Sequence, residues 1–393
     1  MVNFGSDTRR YLACNVVVGG FDFVVEVCTV PPSRRDVRIL IATTPWERID
    51  WPALSAGVRH TVSIAWLDVA EGRLADCASL ALVDGAGVQV AMMARVVQTM
   101  TENQFTDPFL PVRDRIGAPE RVFPALSFMY PNYDSYPVGP GARVPARLAQ
   151  YVDEVCRHAR DQGLRSVVFQ YLDPVAELFT ESLRGAGFTV FTAAHRAELA
   201  IDFDEPGEYL SRLSSHRRRR LQSEIRALDA AGVKYEVRPL RDDEDDLVAL
   251  RCGLAAKYRG SADPAKERGW FDNIRRCFPA DDVFVVMAEI DGRTVGFTLF
   301  VRTGDRLSAL LTGTDYGDPH ARYVYFGTCF YAAMPLAIDL GVRVIEYGMG
   351  SEQAKKARGC TLQPLRWAIR DLADDTPIGS DPPIDPVHPD GND

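Results

Sequence analysis

The segment from Val283 to Gly359 reads VFVVMAEIDGRTVGFTLFVRTGDRLSALLTGTDYGDPHARYVYFGTCFYAAMPLAIDLGVRVIEYGMGSEQAKKARG. Its first eight residues are apolar and β-branched and predict a buried strand. Asp291-Gly292 is a dipeptide favoured in two-residue hairpins, because both central residues need positive φ. Residues 294–302 predict the return strand, Gly304-Asp305 a second turn, and 306–314 a third strand. A helix is expected over 326–340, ended by Gly341 and kinked or split by Pro335. Residues 342–347, bounded by Gly348, predict a short strand parallel to an earlier one.

Upstream, YLSRLSSHRRRRLQSEIRALDAAG (209–232) makes up most of an expected helix over 208–231 and the glycine after it. Arg217, Arg218, Arg219 and Arg220 surround an apolar stripe of Leu213, Leu221, Ile225 and Leu228. A full turn of arginine cannot all be buried. Three uses remain open: a salt-bridged face pairing with acids such as Glu224, a grip on phosphates by guanidinium forks, or contact with an RNA backbone.

A meander, a helix and a further strand resemble the core of the GNAT acyltransferase fold. The closing phrase, Glu346-Tyr347-Gly348-Met349-Gly350 with Lys355-Lys356-Ala357-Arg358-Gly359, resembles the end of one GNAT subgroup. That subgroup holds the FemAB-like aminoacyltransferases and the cellulose- and peptidoglycan-associated acetyltransferase-like proteins. Its members often open this domain with a serine, a basic cluster and a helix ending in Gly, as residues 209–232 do. The likeness spans roughly residues 195–370.

The rest of the chain is consistent with a duplication. Ala159–Val167 (ARDQGLRSV) matches Ala337–Ile345 (AIDLGVRVI) at Ala, Asp, Gly and Arg. Each phrase joins an expected helix to an expected strand, with a tyrosine- and acid-containing loop upstream (132–134 and 314–316). The expected class is α/β (α+β): two GNAT-like units, each a mixed, largely antiparallel sheet with flanking helices. The expected domains are 1–195, a degenerate GNAT-like unit, 196–371, the acyltransferase unit, and 372–393, a disordered acidic, Pro-rich tail.

Within the first domain, strands are expected in 10–30 on either side of Gly19-Gly20, at 38–42 and at 61–67, with a hairpin at 79–83 and 88–97. A Pro-rich loop over 101–145 carries Tyr130, Tyr133 and Tyr136, either lying on the sheet or facing substrate. An amphipathic helix follows over 144–162, then a strand at 166–171, a helix at 176–185 and strands at 188–192 and 198–203. The second domain adds a strand at 234–239, a helix at 242–257, a polar loop at 259–270 and a short helix at 270–278.

At 393 residues the chain is long enough for two domains. A net charge of −9 argues against a generic nucleic-acid binder, the arginine cluster being a local exception. Eight cysteines contain no CxxC pair, the six histidines show no metal-ligand spacing, and no metal is expected. Cys28, Cys156 and Cys329 are expected as core thiols. The N-terminal residues lack the apolar core of a signal peptide, and no 18-residue apolar run occurs. A cytoplasmic protein without membrane insertion is expected. Nucleophile-elbow and Walker motifs are absent.

The resemblance implies acyl transfer from acyl-CoA, acetyl-CoA first, to an amine of a small molecule or peptide. In that family the bulge between splayed central strands supplies backbone donors, and a helix N-terminus grips a pyrophosphate. The usual paired-glycine loop is missing here, so the donor stays open between acyl-CoA or another thioester, an acyl-carrier protein, and aminoacyl-tRNA as in Fem-like peptide-bond formation. A non-catalytic binding protein is the third reading. The candidate catalytic residues are Glu346 (base), Asp315 and His320 (amine binding or deprotonation), and Tyr316 and Tyr347 (proton donors). The candidate donor-binding residues are Arg217, Arg218, Arg219, Arg220, Gly327, Thr328, Lys355 and Lys356.

Overall fold

A computed structural model describes residues 12–18, 21–27, 38–42, 50, 54, 64–70, 77–101, 105–130, 133–318 and 323–374. His320, Cys28, Asn132 and residues 375–393 of the expected tail lie outside the described residues. The described chain divides into two units. The first takes the residues up to Leu67, Glu71 to Ala193 and those from Leu365 onward; the second takes Asp68–Ala70 and Ala194–Pro364.

In the first unit, β1 (Leu12–Val18) and β2 (Phe21–Val27) pair as an isolated antiparallel ribbon. A separate sheet contains β3 (Arg38–Ala42), β4 (Cys77–Asp84), β5 (Gly87–Val97), β6 (Ala125–Phe128) and β7 (Ser166–Leu172) in that order. Three antiparallel pairings are followed by a parallel one between β6 and β7, joined by α2 (Pro145–Asp161). A short α1 (Ile64–Val69) precedes β4, and α3 (Glu177–Gly185) follows β7.

The second unit repeats this pattern. Its order is β9 (Lys234–Pro239), β10 (Val283–Ile290), β11 (Arg293–Thr303), β12 (Arg306–Thr314) and β13 (Val344–Glu346). Three antiparallel pairings again precede a parallel one, between β12 and β13. Each unit gains a sixth, antiparallel strand from elsewhere in the chain. The end of β8 (Thr189–Ala200) lines β13, and Arg366–Asp371 of β14 (Thr361–Asp371) lines β7.

The repeat holds bond by bond. Leu164 N donates to Ala159 O and Val342 N to Ala337 O. Arg165 N reaches Pro124 O, and Arg343 N reaches Asp305 O, both at 2.7 Å. Leu372 N donates to Arg165 O as Ile201 N does to Arg343 O. Gly163 and Gly341 both sit at positive φ (70° and 64°), where a side chain would be strained. The central hairpins carry the same bulge, at Gln89 and at Val295. The two GNAT-like units expected from the short sequence match are therefore present.

The helices of the second unit are α4 (Pro206–Arg212), α5 (Ser215–Ala230), α6 (Asp245–Arg259), α7 (Pro264–Cys277), α8 (Ala333–Asp339) and α9 (Glu352–Ala357). Their apolar stripes close a core of Leu199, Val286, Phe300, Leu307 and Ile345 from strands with Leu221, Phe330, Ala333 and Ala337 from helices.

Several local expectations are corrected. Residues 64–69 are helical rather than extended, because a short apolar run suits a buried helix as well as a strand. The helix expected over 208–231 is two: Leu213 is extended, and Ser214 starts α5 by accepting a hydrogen bond from Arg217 N. The expected loop 259–270 is largely α7, since Asp263 caps it and Pro264 opens its first turn. Strands 188–192 and 198–203 are one continuous β8. Lys355 and Lys356 of the closing phrase belong to α9. Neither β6 nor β14 was expected. Cys156 and Cys329 are buried free thiols, as expected.

Candidate active site

The parallel strands β12 and β13 stay paired only from Arg306/Val344 to Ser308/Glu346. β12 then runs on to Thr314, paired to β11 on its other side. Leu299 pairs with Leu311 and Phe300 with Ala309, so Leu310 is an extra, bulged residue. Beyond Ser308 the β13-facing edge of β12 has no strand partner among the described residues. The result is a wedge: two parallel strands parting at a bulge, with main-chain groups of β12 along one side.

Glu346 sits at the apex of this wedge and is 4% exposed. Its Oε1 accepts from Arg306 Nη1 at 2.7 Å and its Oε2 from Ser308 Oγ at 2.8 Å, with Arg196 Nε at 3.9 Å. Arg306 and Ser308 thus occupy lone pairs that a base would use. Tyr347 follows, buried, its ring stacked on Phe330 with centroids 4.0 Å apart. Its hydroxyl has no hydrogen-bond partner among the described residues, and burial pushes its pKa well above the usual tyrosine range. A phenol so placed keeps its proton.

The next turn, Gly348 to Gly350, is held by Lys355 of α9. Its ammonium donates to the carbonyls of Tyr347 (2.8 Å), Gly348 (3.3 Å) and Met349 (2.9 Å). Lys355 is 2% exposed, and burial lowers its pKa to about 8. Lys356, its neighbour, points to solvent. A lysine whose folded pKa lies below its unfolded value binds fewer protons than the unfolded chain between the two. Its contribution to stability therefore rises as pH climbs from about 8 toward 10.5. The unfolding free energy of the wild-type protein minus that of Lys355→Met should rise over this window by at most about 1.4 kcal/mol per pH unit. Urea unfolding of both proteins from pH 7 to 10 reads this directly. A flat difference would mean that the ammonium is not desolvated.

On one face of the wedge the chain winds through a turn at Val324–Phe326, a π-helical segment Gly327–Tyr331, and α8. Pro335 has no N–H for Tyr331 O, and the π turn lies just before it. The helix expected over 326–340 is thus divided. Gly327 packs under Tyr235: a Cβ there would come within 2.2 Å of the Tyr235 hydroxyl oxygen. Thr328 is buried, its hydroxyl 2.9 Å from that of Thr298. On the opposite face, Arg251 of α6 donates to Thr312 O of β12 and to Glu267.

Tyr331 OH donates to Glu224 Oε2 at 2.6 Å, and Arg358 Nη2 donates to the same oxygen. Glu224 Oε1 takes Arg220 Nε at 3.3 Å. Arg358 is 0% exposed, and its guanidinium lies 3.2 Å from the Phe326 ring centroid. This buried Glu224–Arg358–Tyr331 cluster was missed in the sequence, although both charged members lie in phrases singled out there. Nothing in the linear order shows that residues 224 and 358 meet.

The other sequence candidates scatter. Asp315 at the end of β12 pairs with Arg293, which holds its carboxyl below the usual range, and accepts from Gly317 N at 2.9 Å. Tyr316 is exposed, with Lys257 Nζ 3.8 Å from its ring centroid. Arg217, Arg219 and Arg220 are exposed and Arg218 is half-buried. Leu228 packs with Val324 while Glu224 bonds Tyr331, so α5 runs antiparallel to the segment 324–331. Arg217 precedes Leu228 by eleven residues, about 16 Å of helix. Arg217 is thus far along α5 from the segment of Gly327 and Thr328, whereas Arg220 reaches that segment through Glu224 and Tyr331.

A family model, FemAB-like, described as peptidoglycan biosynthesis/recognition, matches residues 139–375. No curated protein sequence matches the chain. The crystal structure of FemX is similar with a TM-score of 0.53 and 11% identity, over 81% of this chain and 94% of that one. L-PGS from Bacillus licheniformis follows at 0.48 and 11%, over 76% and 85%. A tandem GNAT protein from the clavulanic acid biosynthesis pathway follows at 0.45 and 12%, over 85% and 99%. Among the described residues no helix is long and apolar enough to cross a membrane, and no group of residues suits a metal ion.

Proposed function

The chain belongs to the FemAB-like family of GNAT-fold transferases, and from that premise we propose that its second unit, residues 196–371, transfers an acyl group from a thioester to an amine. The observation that carries this reading is the wedge: β12 and β13 part after Ser308/Glu346, with a bulge at Leu310. An acyl-CoA lying against β12 would set its carbonyl against main-chain N–H groups at the bulge. The amine nitrogen attacks the carbonyl carbon, and the oxyanion is held by those N–H groups. Collapse forms the amide and breaks the C–S bond, and the thiolate leaves. A base must take the proton lost by nitrogen, and His320 is the candidate by residue type. In this reading Glu346 anchors the apex, Tyr347 offers its unpartnered hydroxyl as a donor, and Lys355 fixes the turn between them. The family description favours a peptide amine as acceptor, and a thioester donor favours the cytoplasm.

Leu310→Pro removes the N–H at the bulge. It should lower kcat/KM for release of CoA thiol from acetyl-CoA by about 10²–10³-fold, the cost of losing one oxyanion donor. A thiol-release assay with a panel of peptide and small amines makes the comparison. An unchanged rate would remove the bulge from the mechanism.

A second reading is favoured by one observation. Arg217, Arg218 and Arg219 form no ion pair among the described residues, and Arg217 lies about 16 Å along α5 from Leu228, which clusters with Val324. A donor long enough to reach both places, an aminoacyl-tRNA, would contact them through its phosphodiesters. Binding would then fall steeply with salt and with Arg217→Ala.

A further inference from the structure

We infer that the wedge of the first unit is occupied by the chain's own segment 133–138, so that each chain takes up a single acyl donor, in its second unit. The inference rests on the wedge reading above. In the first unit, β6 is the counterpart of β12 and β7 of β13, as the repeated hydrogen bonds establish. β12 runs for nine residues, whereas β6 stops after four, at Phe128. The backbone edge on which a donor would lie is therefore cut short.

The gap is closed from within. Ser135 N donates to Tyr171 O at 2.8 Å, and Asp173 N donates to Ser135 O at 2.9 Å, a parallel bridge to Leu172 of β7. Three residues on, Val138 exchanges two hydrogen bonds with Ala91 of β5, at 2.9 and 3.0 Å. The segment thus spans from the β7 edge to the β5 edge where β6 has ended. It lies in the space between the β5 and β7 edges, where the counterpart of a donor beside β12 would lie.

The fit is tight. Asp134, Ser135, Tyr136 and Val138 are all 7% exposed or less. Tyr130 N donates to Ser135 Oγ, closing the loop on itself. Behind it, Gly139 presses on β5: a Cβ there would come within 2.6 Å of Gln89 O. Tyr133 and Tyr171 hold φ of 57° and 53°, a region costly for side chains of this size, and their rings meet at 5.1 Å. Strain of this kind persists only where the surroundings over-determine it. The second unit contains no such segment among its described residues.

The test is a count of sites combined with amide exchange on the full-length protein. Equilibrium dialysis with labelled acetyl-CoA should give one equivalent per chain. The amides of Ala91, Ser135, Val138 and Asp173 should be protected before ligand is added and unchanged at saturation, while exchange over 309–314 slows. Two equivalents per chain, or protection changes at 133–138 on adding acetyl-CoA, would overturn the inference. If acetyl-CoA does not bind, the thioester reading fails, and the ligand-free exchange decides this point alone. Slow Ser135 and Val138 amides uphold an occupied first wedge, and fast ones refute it.

Discussion

Glu224→Ala will destabilise the protein by about 3–5 kcal/mol, because it leaves the Arg358 guanidinium buried without its counter-charge. Arg358 is 0% exposed, and without Glu224 its guanidinium keeps the Ala354 carbonyl and the faces of Phe326 and Phe330 but no acid among the described residues. Tyr331 loses its acceptor in the same step. The melting temperature of the second unit should fall by roughly 8–14 °C. Removing both charges should be much milder, since apolar side chains of similar volume avoid the desolvation cost. Glu224→Leu combined with Arg358→Met is therefore expected to recover most of the loss. Thermal and urea unfolding of the single and double variants measures this. A single variant within 1 kcal/mol of wild type would mean that the pair is hydrated and does not tie α5 to the π segment.

The second large effect concerns the sixth strand of the first unit. A protein ending at residue 195 should not fold, although it contains every other strand of that unit. Arg366–Asp371 of β14 supplies the antiparallel edge on β7. Trp367, 1% exposed, packs edge-on against Tyr171 with centroids 5.4 Å apart. Asp371, 2% exposed, accepts from Arg165 at 2.8 Å. Losing the tryptophan alone costs about 3–5 kcal/mol. A domain's whole stability is about 5–15 kcal/mol. Circular dichroism of the 1–195 fragment should show little cooperative melting, and fusing residues 365–374 to its end should restore a transition. A fragment that melts like the intact chain would show that β14 is dispensable to the unit.

Much of this fold was legible because its signals are local. Asp291-Gly292 adopts positive φ at both residues (51° and 75°), as the hairpin reading requires. The four-residue match around Gly163 and Gly341 located the duplication because those glycines end helices in both units. What stayed hidden depends on distant partners. β6 is four residues between prolines, too short for a period-two pattern. β14 holds Pro364 and reads as neither strand nor helix until β7 is placed beside it. The loop expected over 259–270 contains Pro264, which, one residue after Asp263, starts a helix.

The site shows the same limit. Glu346, Asp315 and Lys355 look like chemistry in a linear sequence because their residue types carry it. Their roles are set by Arg306, Arg293 and three carbonyls, brought up by other strands and turns. The wedge itself is a property of backbone pairing. Only the order of strand, helix and strand hinted at it.

The most direct test is a calorimetric titration of the intact protein with acetyl-CoA, and separately with aminoacylated tRNA, repeated on Ala309→Trp. Ala309 is partly buried beside the bulge, packed against the core that includes Phe330, and a tryptophan there would fill the wedge. The account predicts saturable acetyl-CoA binding at one equivalent per chain, abolished by Ala309→Trp and unaffected by replacing Arg217 to Arg220 with alanine. Binding of charged tRNA alone, lost with the arginines, would transfer the donor assignment to the second reading. Acetyl-CoA binding that survives Ala309→Trp in a folded protein, or no binding of either donor, would contradict the wedge as the donor site.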